Sequence, residues 1–136
     1  MHKIIAREYL VEDEGFEPFP YRCTEGKLTL GHGFNLEVTP IPYDVSVFWL
    51  DKEINKIDVK LDEKLLFYEK LTDNRKAVLI DMVFNLGLKG LLNFKKTLQF
   101  IEEKKYIKAS IEMLDSKWAE QVLNRAEKLS DIMREG

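Results

Sequence analysis

Residues 73–86, DNRKAVLIDMVFNL, constrain the fold more than any other segment. Ala77, Val78, Leu79, Ile80, Met82, Val83 and Phe84 place apolar side chains nearly all round a helix of 3.6-residue period. A helix of that kind is stable in water only when other elements surround it. Thr72 is its expected N-cap, and Gly87 and Gly90 punctuate its end. Further helices are expected to follow over about 93–104, 106–114 and 124–134. Ahead of it a helical pattern starts at Thr39, with Pro42 in the first turn. Val45, Phe48, Trp49, Ile54 and Ile57 keep the period, and a short helix over 61–69 follows.

The first third has a different grammar. Residues 3–13 read as a helix that offers Ile4, Ile5, Tyr9 and Leu10 to a core, and Gly15 ends it. Pro18 and Pro20 forbid its continuation. Tyr21-Arg22-Cys23 and Leu28-Thr29-Leu30 then read as the arms of a β-hairpin with Gly26 in the turn. Gly31 and Gly33 flank His32 and mark unusual dihedrals or close backbone approach. The pattern predicts an α+β fold. A small β-containing lobe spans about 15–58, and a larger helical lobe takes 59–136 together with the N-terminal helix 3–14. At 136 residues the chain is long enough to bury a sizeable core.

Charge and cysteine usage narrow the function classes. The formal net charge is -3, so there is no overall basic balance to hint at nucleic acid, and no nucleic-acid partner is expected. The balance is uneven, near -5 for residues 1–85 and +2 for 86–136, which puts any affinity for an anionic polymer in the second half. Cys23 is the only cysteine, so no intrachain disulfide forms and a reducing compartment is expected. MHKIIAREYLVEDEG lacks the apolar core of a signal peptide. No stretch reaches the roughly 18 apolar residues of a membrane span. With only His2 and His32, and no cluster at ligand spacing, no metal and no cofactor are expected. The chain is expected to be a monomer.

Glu14 closes the first helix just before the hairpin. A carboxyl group placed there can sit at the floor of a cleft, where partial burial keeps it protonated for use as an acid. Eight residues separate it from Cys23, and five separate Cys23 from Thr29. A tight hairpin brings Cys23 and Thr29 toward one side, where the Thr29 hydroxyl can orient a water. Cys23 lies away from any helix N-terminus, so nothing in the sequence lowers its pKa. It is read as a small buried hydrophobe or as a participant in the chemistry.

Glu14-Gly15, Pro20-Tyr21 and Gly26-Lys27-Leu28-Thr29-Leu30-Gly31-His32-Gly33-Phe34-Asn35-Leu36 closely resemble the phage-type lysozymes, glycoside hydrolase family 24. That family's triad is Glu, eight residues, Asp or Cys, five residues, Thr. The resemblance extends through Asp81-Met82-Val83-Phe84-Asn85-Leu86-Gly87, Gly90, Phe94, Leu98, Ser116-Lys117-Trp118 and Asn124-Arg125-Ala126. It implies a two-lobed lysozyme-like fold and an enzyme that cuts the β-1,4 bond between N-acetylmuramic acid and N-acetylglucosamine. Glu14, Cys23 and Thr29 would be catalytic. Asn35, Phe84, Asn85, Thr97 and Glu112 would touch the substrate. Arg125 would pair with Glu14, and His32 would support the turn. The implied partner is bacterial cell-wall peptidoglycan. The implied setting is a phage endolysin, held in the host cytoplasm until a holin pore releases it to the wall. The segment between Leu36 and Trp49 is shorter than the family pattern, and Leu123 replaces a common proline.

A lytic transglycosylase cuts the same bond with one Glu, an internal sugar hydroxyl replacing water. A Cys/His peptidase or amidase built on Cys23 and His32, and a non-catalytic peptidoglycan-binding protein, are the remaining classes.

Overall fold

Thr72 opens the central helix as its hydroxyl requires: Thr72 Oγ1 accepts from the Arg75 amide at 3.2 Å. The computed structural model describes residues 1–136. In chain order the elements are α1 (His2–Glu14), β1 (Glu17–Arg22), β2 (Leu28–Gly31), β3 (Phe34–Asn35), α2 (Tyr43–Lys64), α3 (Asp73–Leu92), α4 (Lys95–Glu102), α5 (Tyr106–Leu114), α6 (Lys117–Gln121) and α7 (Leu123–Glu135). A single 3-10 turn, Tyr68–Lys70, stands between α2 and α3. This is an α+β fold. The chain divides into two compact units, Met1–Val47 and Phe48–Gly136, and the boundary falls inside α2. No single helix is long and apolar enough to cross a membrane.

In the first unit an antiparallel sheet of order β1-β2-β3 follows α1. Pro18 and Pro20 sit in β1, where a register irregularity separates the Glu17↔Gly31 pair from Tyr21↔Thr29. An edge strand with a bulge is where proline is tolerated in a sheet. Within the first unit the expected core face of α1 is not covered. Ile4, Ile5, Tyr9 and Leu10 remain 39–64% exposed, and no α1 side chain is buried. Three strands of two to six residues offer too little surface, and Thr29 is the one buried side chain of residues 1–47.

The second unit holds the core. α3 buries Val78, Leu79, Met82, Val83 and Leu91, while Ala77 and Phe84 stay exposed. The helix therefore buries a stripe and not its whole circumference. Gly87 (φ 78°, ψ 162°) breaks it, a conformation open to glycine. The last turn resumes to Leu92, past the predicted end. α7 packs against α3, α5 and α6, and α4 packs against α5. Ala126, Leu129 and Met133 supply the apolar face of α7. The break expected between two helices near residue 60 does not occur. α2 runs unbroken to Lys64, because Ile57 and Leu61 keep helical spacing into the core. α6 was not foreseen. Ser116 starts it by accepting from the Ala119 amide at 3.1 Å.

Polar groups inside this unit are matched. Tyr68, almost fully buried, donates to Asp58 Oδ1 at 2.5 Å. Burial, then the Asp58 carboxylate, push the Tyr68 phenol well above its ordinary range. Arg75 ties the start of α3 to the end of α7. Its Nε and Nη2 donate to the carbonyls of Met133 and Arg134 at 2.8 and 3.1 Å. Those carbonyls have no partner within the helix. The same guanidinium lies 3.4 Å from the Tyr106 ring centroid, joining α5 to the clamp. Arg75→Ala is expected to cost about 2–4 kcal/mol in denaturant unfolding, from two charge-assisted bonds and a cation–π contact. Lysine cannot make the fork and should restore little of that loss.

Candidate active site

The chain leaves α1 through Gly15, whose φ of 67° and ψ of -166° are open to glycine. The Gly15 amide still bonds Val11 O at 3.0 Å, so the helix is closed up to Glu14. The Glu14 carboxylate rests on Gly33, in the turn between β2 and β3. A Cβ at residue 33 would overlap its oxygen, and Gly33 has φ 71°. The dihedral favours glycine there, and any side chain would displace the Glu14 carboxylate. Within the first unit Glu14 is exposed, so the burial expected for it is not supplied by these residues. His32, between Gly31 and Gly33, places Nδ1 2.7 Å from the Gly15 carbonyl. Its ring lies 5.2 Å from that of Phe16.

Cys23 and Thr29 occupy the two arms of the hairpin as predicted. Tyr21 pairs with Thr29, and the Cys23 amide donates to Lys27 O at 2.9 Å. Residues facing each other across a ladder share a face, and so do residues two apart. Tyr21, Cys23, Lys27 and Thr29 are therefore on one face. Thr29, 4% exposed, donates its hydroxyl proton to Lys27 O at 2.8 Å. Its oxygen lone pairs remain for an incoming donor.

The sulfur of Cys23 is half-buried, and the expectation that nothing lowers its pKa is corrected by the turn. Hydrogen bonds from the backbone at Lys27 and then Glu25 hold the thiol below its ordinary value, and the Thr29 hydroxyl adds a smaller share when its one proton turns from Lys27 O to the sulfur. Partial burial and the Glu25 charge oppose them. Backbone amides stabilise the anion as a neighbouring cation would, and a folded turn provides them where composition does not.

Asn35 stands opposite Thr29 in the ladder. Its Oδ1 accepts from the Glu37 amide at 3.0 Å, which spends that oxygen on shaping the turn after β3. Its amide nitrogen keeps its donors.

In the second unit, Asn85 Oδ1 accepts from Trp118 Nε1 at 2.7 Å. The indole, 4% exposed, also meets Phe94 edge to face at 6.0 Å. Trp118 and Phe94 wall a pocket of about 470 Å³ that includes Thr97, Glu112 and Lys117. Thr97 and Glu112, expected at substrate-contacting positions, are thus brought together beside the Trp118 that Asn85 holds. Phe84 lies outside this pocket and is 55% exposed. The pocket also gathers Lys95 and Lys96, which sequence reading overlooked. The net positive charge of residues 86–136 was the available signal.

Arg125 is engaged inside its own unit. Its Nε donates to Asp81 Oδ1 at 2.6 Å, and its Nη2 reaches Asp81 O at 3.4 Å. Both partners are about one-third exposed, 35% and 30%. Asp81 is the one acidic residue in the apolar run 77–84, and a charge in that setting calls for a cation.

A family profile described as phage lysozyme matches residues 11–133. Two proteins of Dictyostelium discoideum are similar over nearly the whole chain. Probable T4-type lysozyme 1 is 29% identical and probable T4-type lysozyme 2 is 35% identical. In each case the alignment covers 96% of this chain and 94% of the relative.

Two outcomes follow from the geometry. Gly33→Ala should keep the fold by circular dichroism yet shift the Glu14 carboxylate by on the order of 1 Å in a crystal structure of the variant. Iodoacetamide labelling of Cys23 followed against pH should half-titrate below the free-thiol value. Thr29→Val should move that midpoint upward, since it removes the weakest of the three lowering contacts.

Proposed function

The chain belongs to the phage lysozyme family and is a peptidoglycan hydrolase, and from that premise we propose that it hydrolyses the β-1,4 bond between N-acetylmuramic acid and N-acetylglucosamine. The observation that carries this reading is the hairpin face shared by Cys23 and Thr29, in the same unit that seats the Glu14 carboxylate on Gly33.

In the proposed reaction Glu14 gives its proton to the leaving glycosidic oxygen as oxocarbenium character develops. A water donates one hydrogen bond to the Thr29 oxygen and loses its other proton to the Cys23 thiolate as it attacks the anomeric carbon. The configuration inverts, and proton return from Cys23 to solvent and from solvent to Glu14 resets the site. The lowered pKa of Cys23 supports this use of the thiolate, because it raises the anionic fraction where the family also places Asp. Asn35, Phe84, Asn85, Thr97 and Glu112 are proposed to contact the substrate. Lys95, Lys96 and Lys117 are set against Glu112 and Asp115 in the pocket, and are proposed to meet the carboxylates of a wall polymer.

A lytic transglycosylase is the second reading, favoured by the thiol in place of a second carboxylate. The biological setting is proposed as a phage endolysin, present in the host cytoplasm and reaching the wall at lysis through a holin pore. Its support is the family alone.

The test is digestion of purified peptidoglycan by four variants, with product masses. Glu14→Gln should lose about 10³-fold or more, the scale of a missing general acid. Cys23→Asp should stay active, and Cys23→Ser and Thr29→Ala should fall between. Non-reducing 1,6-anhydro muramic ends, one water lighter than the reducing ends that hydrolysis gives, would establish the transglycosylase. Full activity of Glu14→Gln would overturn the assignment of the acid.

A further inference from the structure

We infer that His32 is a positioning residue for the Glu14 acid, acting through the carbonyl of Gly15; the inference rests on Glu14 being that acid. The turn Gly31-His32-Gly33 meets the end of α1 at two adjacent points. Gly33 supplies the surface on which the Glu14 carboxylate lies. One residue earlier, His32 Nδ1 lies 2.7 Å from the Gly15 carbonyl, one residue after Glu14. A carbonyl only accepts, so Nδ1 carries the proton. The bond survives protonation of the ring, because Nδ1 is a donor in both states.

The need for such a tie follows from the surroundings. No side chain of α1 is buried, so packing within the first unit does not hold the helix end. Gly15 is a flexible joint without side chain between the acid and β1. The Gly15 amide is fixed to Val11 O at 3.0 Å, and its carbonyl is fixed by His32. With both ends of Gly15 bonded, the swing of Glu14 relative to Gly33 is removed. Gly31 and Gly33, at φ 69° and 71°, bend the turn back so that the imidazole reaches α1. Phe16, against the ring at 5.2 Å, limits its rotation.

His32 does not touch the reacting atoms, so its loss should appear in turnover and not in substrate affinity. His32→Phe keeps a ring against Phe16 and removes the donor. His32→Asn removes the ring and keeps an N–H at nearly the same reach. On soluble glycan fragments, His32→Phe should lower kcat about tenfold with KM unchanged, and should displace the pH limb reporting the acid. His32→Asn should recover most of the kcat and the wild-type profile. Thermal melts should show both variants folded.

Wild-type kcat and pH profile in His32→Phe would overturn the inference. Equal loss in both variants would overturn it too, by assigning the effect to the ring. If His32→Phe does not fold, nitrogen-15 NMR of the wild type decides. A proton on Nε2 alone in the neutral ring overturns the inference, and one on Nδ1 upholds it. Glu14→Gln in the same assay keeps the readings apart. If it is inactive while His32→Phe behaves as wild type, only the positioning role fails; if it is active, the assignment of the acid itself fails.

Discussion

Leu79 and Met82 are wholly buried, and α3 reaches that state because α7 lies along it. Much of the second unit follows from this contact. α7 needs an apolar face, which Ala126, Leu129 and Met133 provide. Its C-terminal carbonyls then end beside the start of α3, where Arg75 collects them and leans on Tyr106 of α5. Asp81 and Arg125 fasten the same two helices from their polar sides. Every buried side-chain nitrogen and oxygen finds a hydrogen-bond partner, so burial proceeds without stranding a polar group.

The first unit is held on other terms. It has almost no interior, and its shape comes from backbone conformation and single hydrogen bonds. Gly15, Gly31 and Gly33 take positive φ, and the hairpin spends its amides on the groups that matter. Lys27 shows the economy of the arrangement. Its carbonyl receives the Thr29 hydroxyl and the Cys23 amide, while its backbone also lowers the Cys23 pKa. One residue at the turn thus orients both of the groups proposed to handle water.

Much of this was legible in the residues. Thr72 as an N-cap, the hairpin arms and the helices over 93–104, 106–114 and 124–134 follow from spacing and capping chemistry, and the structure places them within a few residues. Gly87 was legible as punctuation, but the helix resumes beyond it because Leu91 has a core position to fill. The continuity of α2 was not legible, since Asp58 and Lys60 interrupt the apolar pattern without breaking the backbone. Among candidate site residues, Cys23 and Thr29 were placed by pairing rules, and Thr97 and Glu112 line one pocket that spacing alone did not announce. The bond from Arg125 to Asp81 was not foreseen, because the two residues stand 44 positions apart. The amides around the Cys23 sulfur were missed for a related reason. Backbone donors are present at nearly every residue, and only a folded turn aims them.

The prolines of β1 have a bearing on how the protein behaves at high concentration. An exposed sheet edge is a template on which another chain can add a strand. Pro18 and Pro20 remove two amide donors from one side of the six-residue strand, and the register slips across the same stretch. A second molecule laid along β1 would find a ladder with missing rungs. The small sheet, which has little core to defend it, is in this way guarded against edge-to-edge association by residues that lie within a few positions of its proposed chemistry.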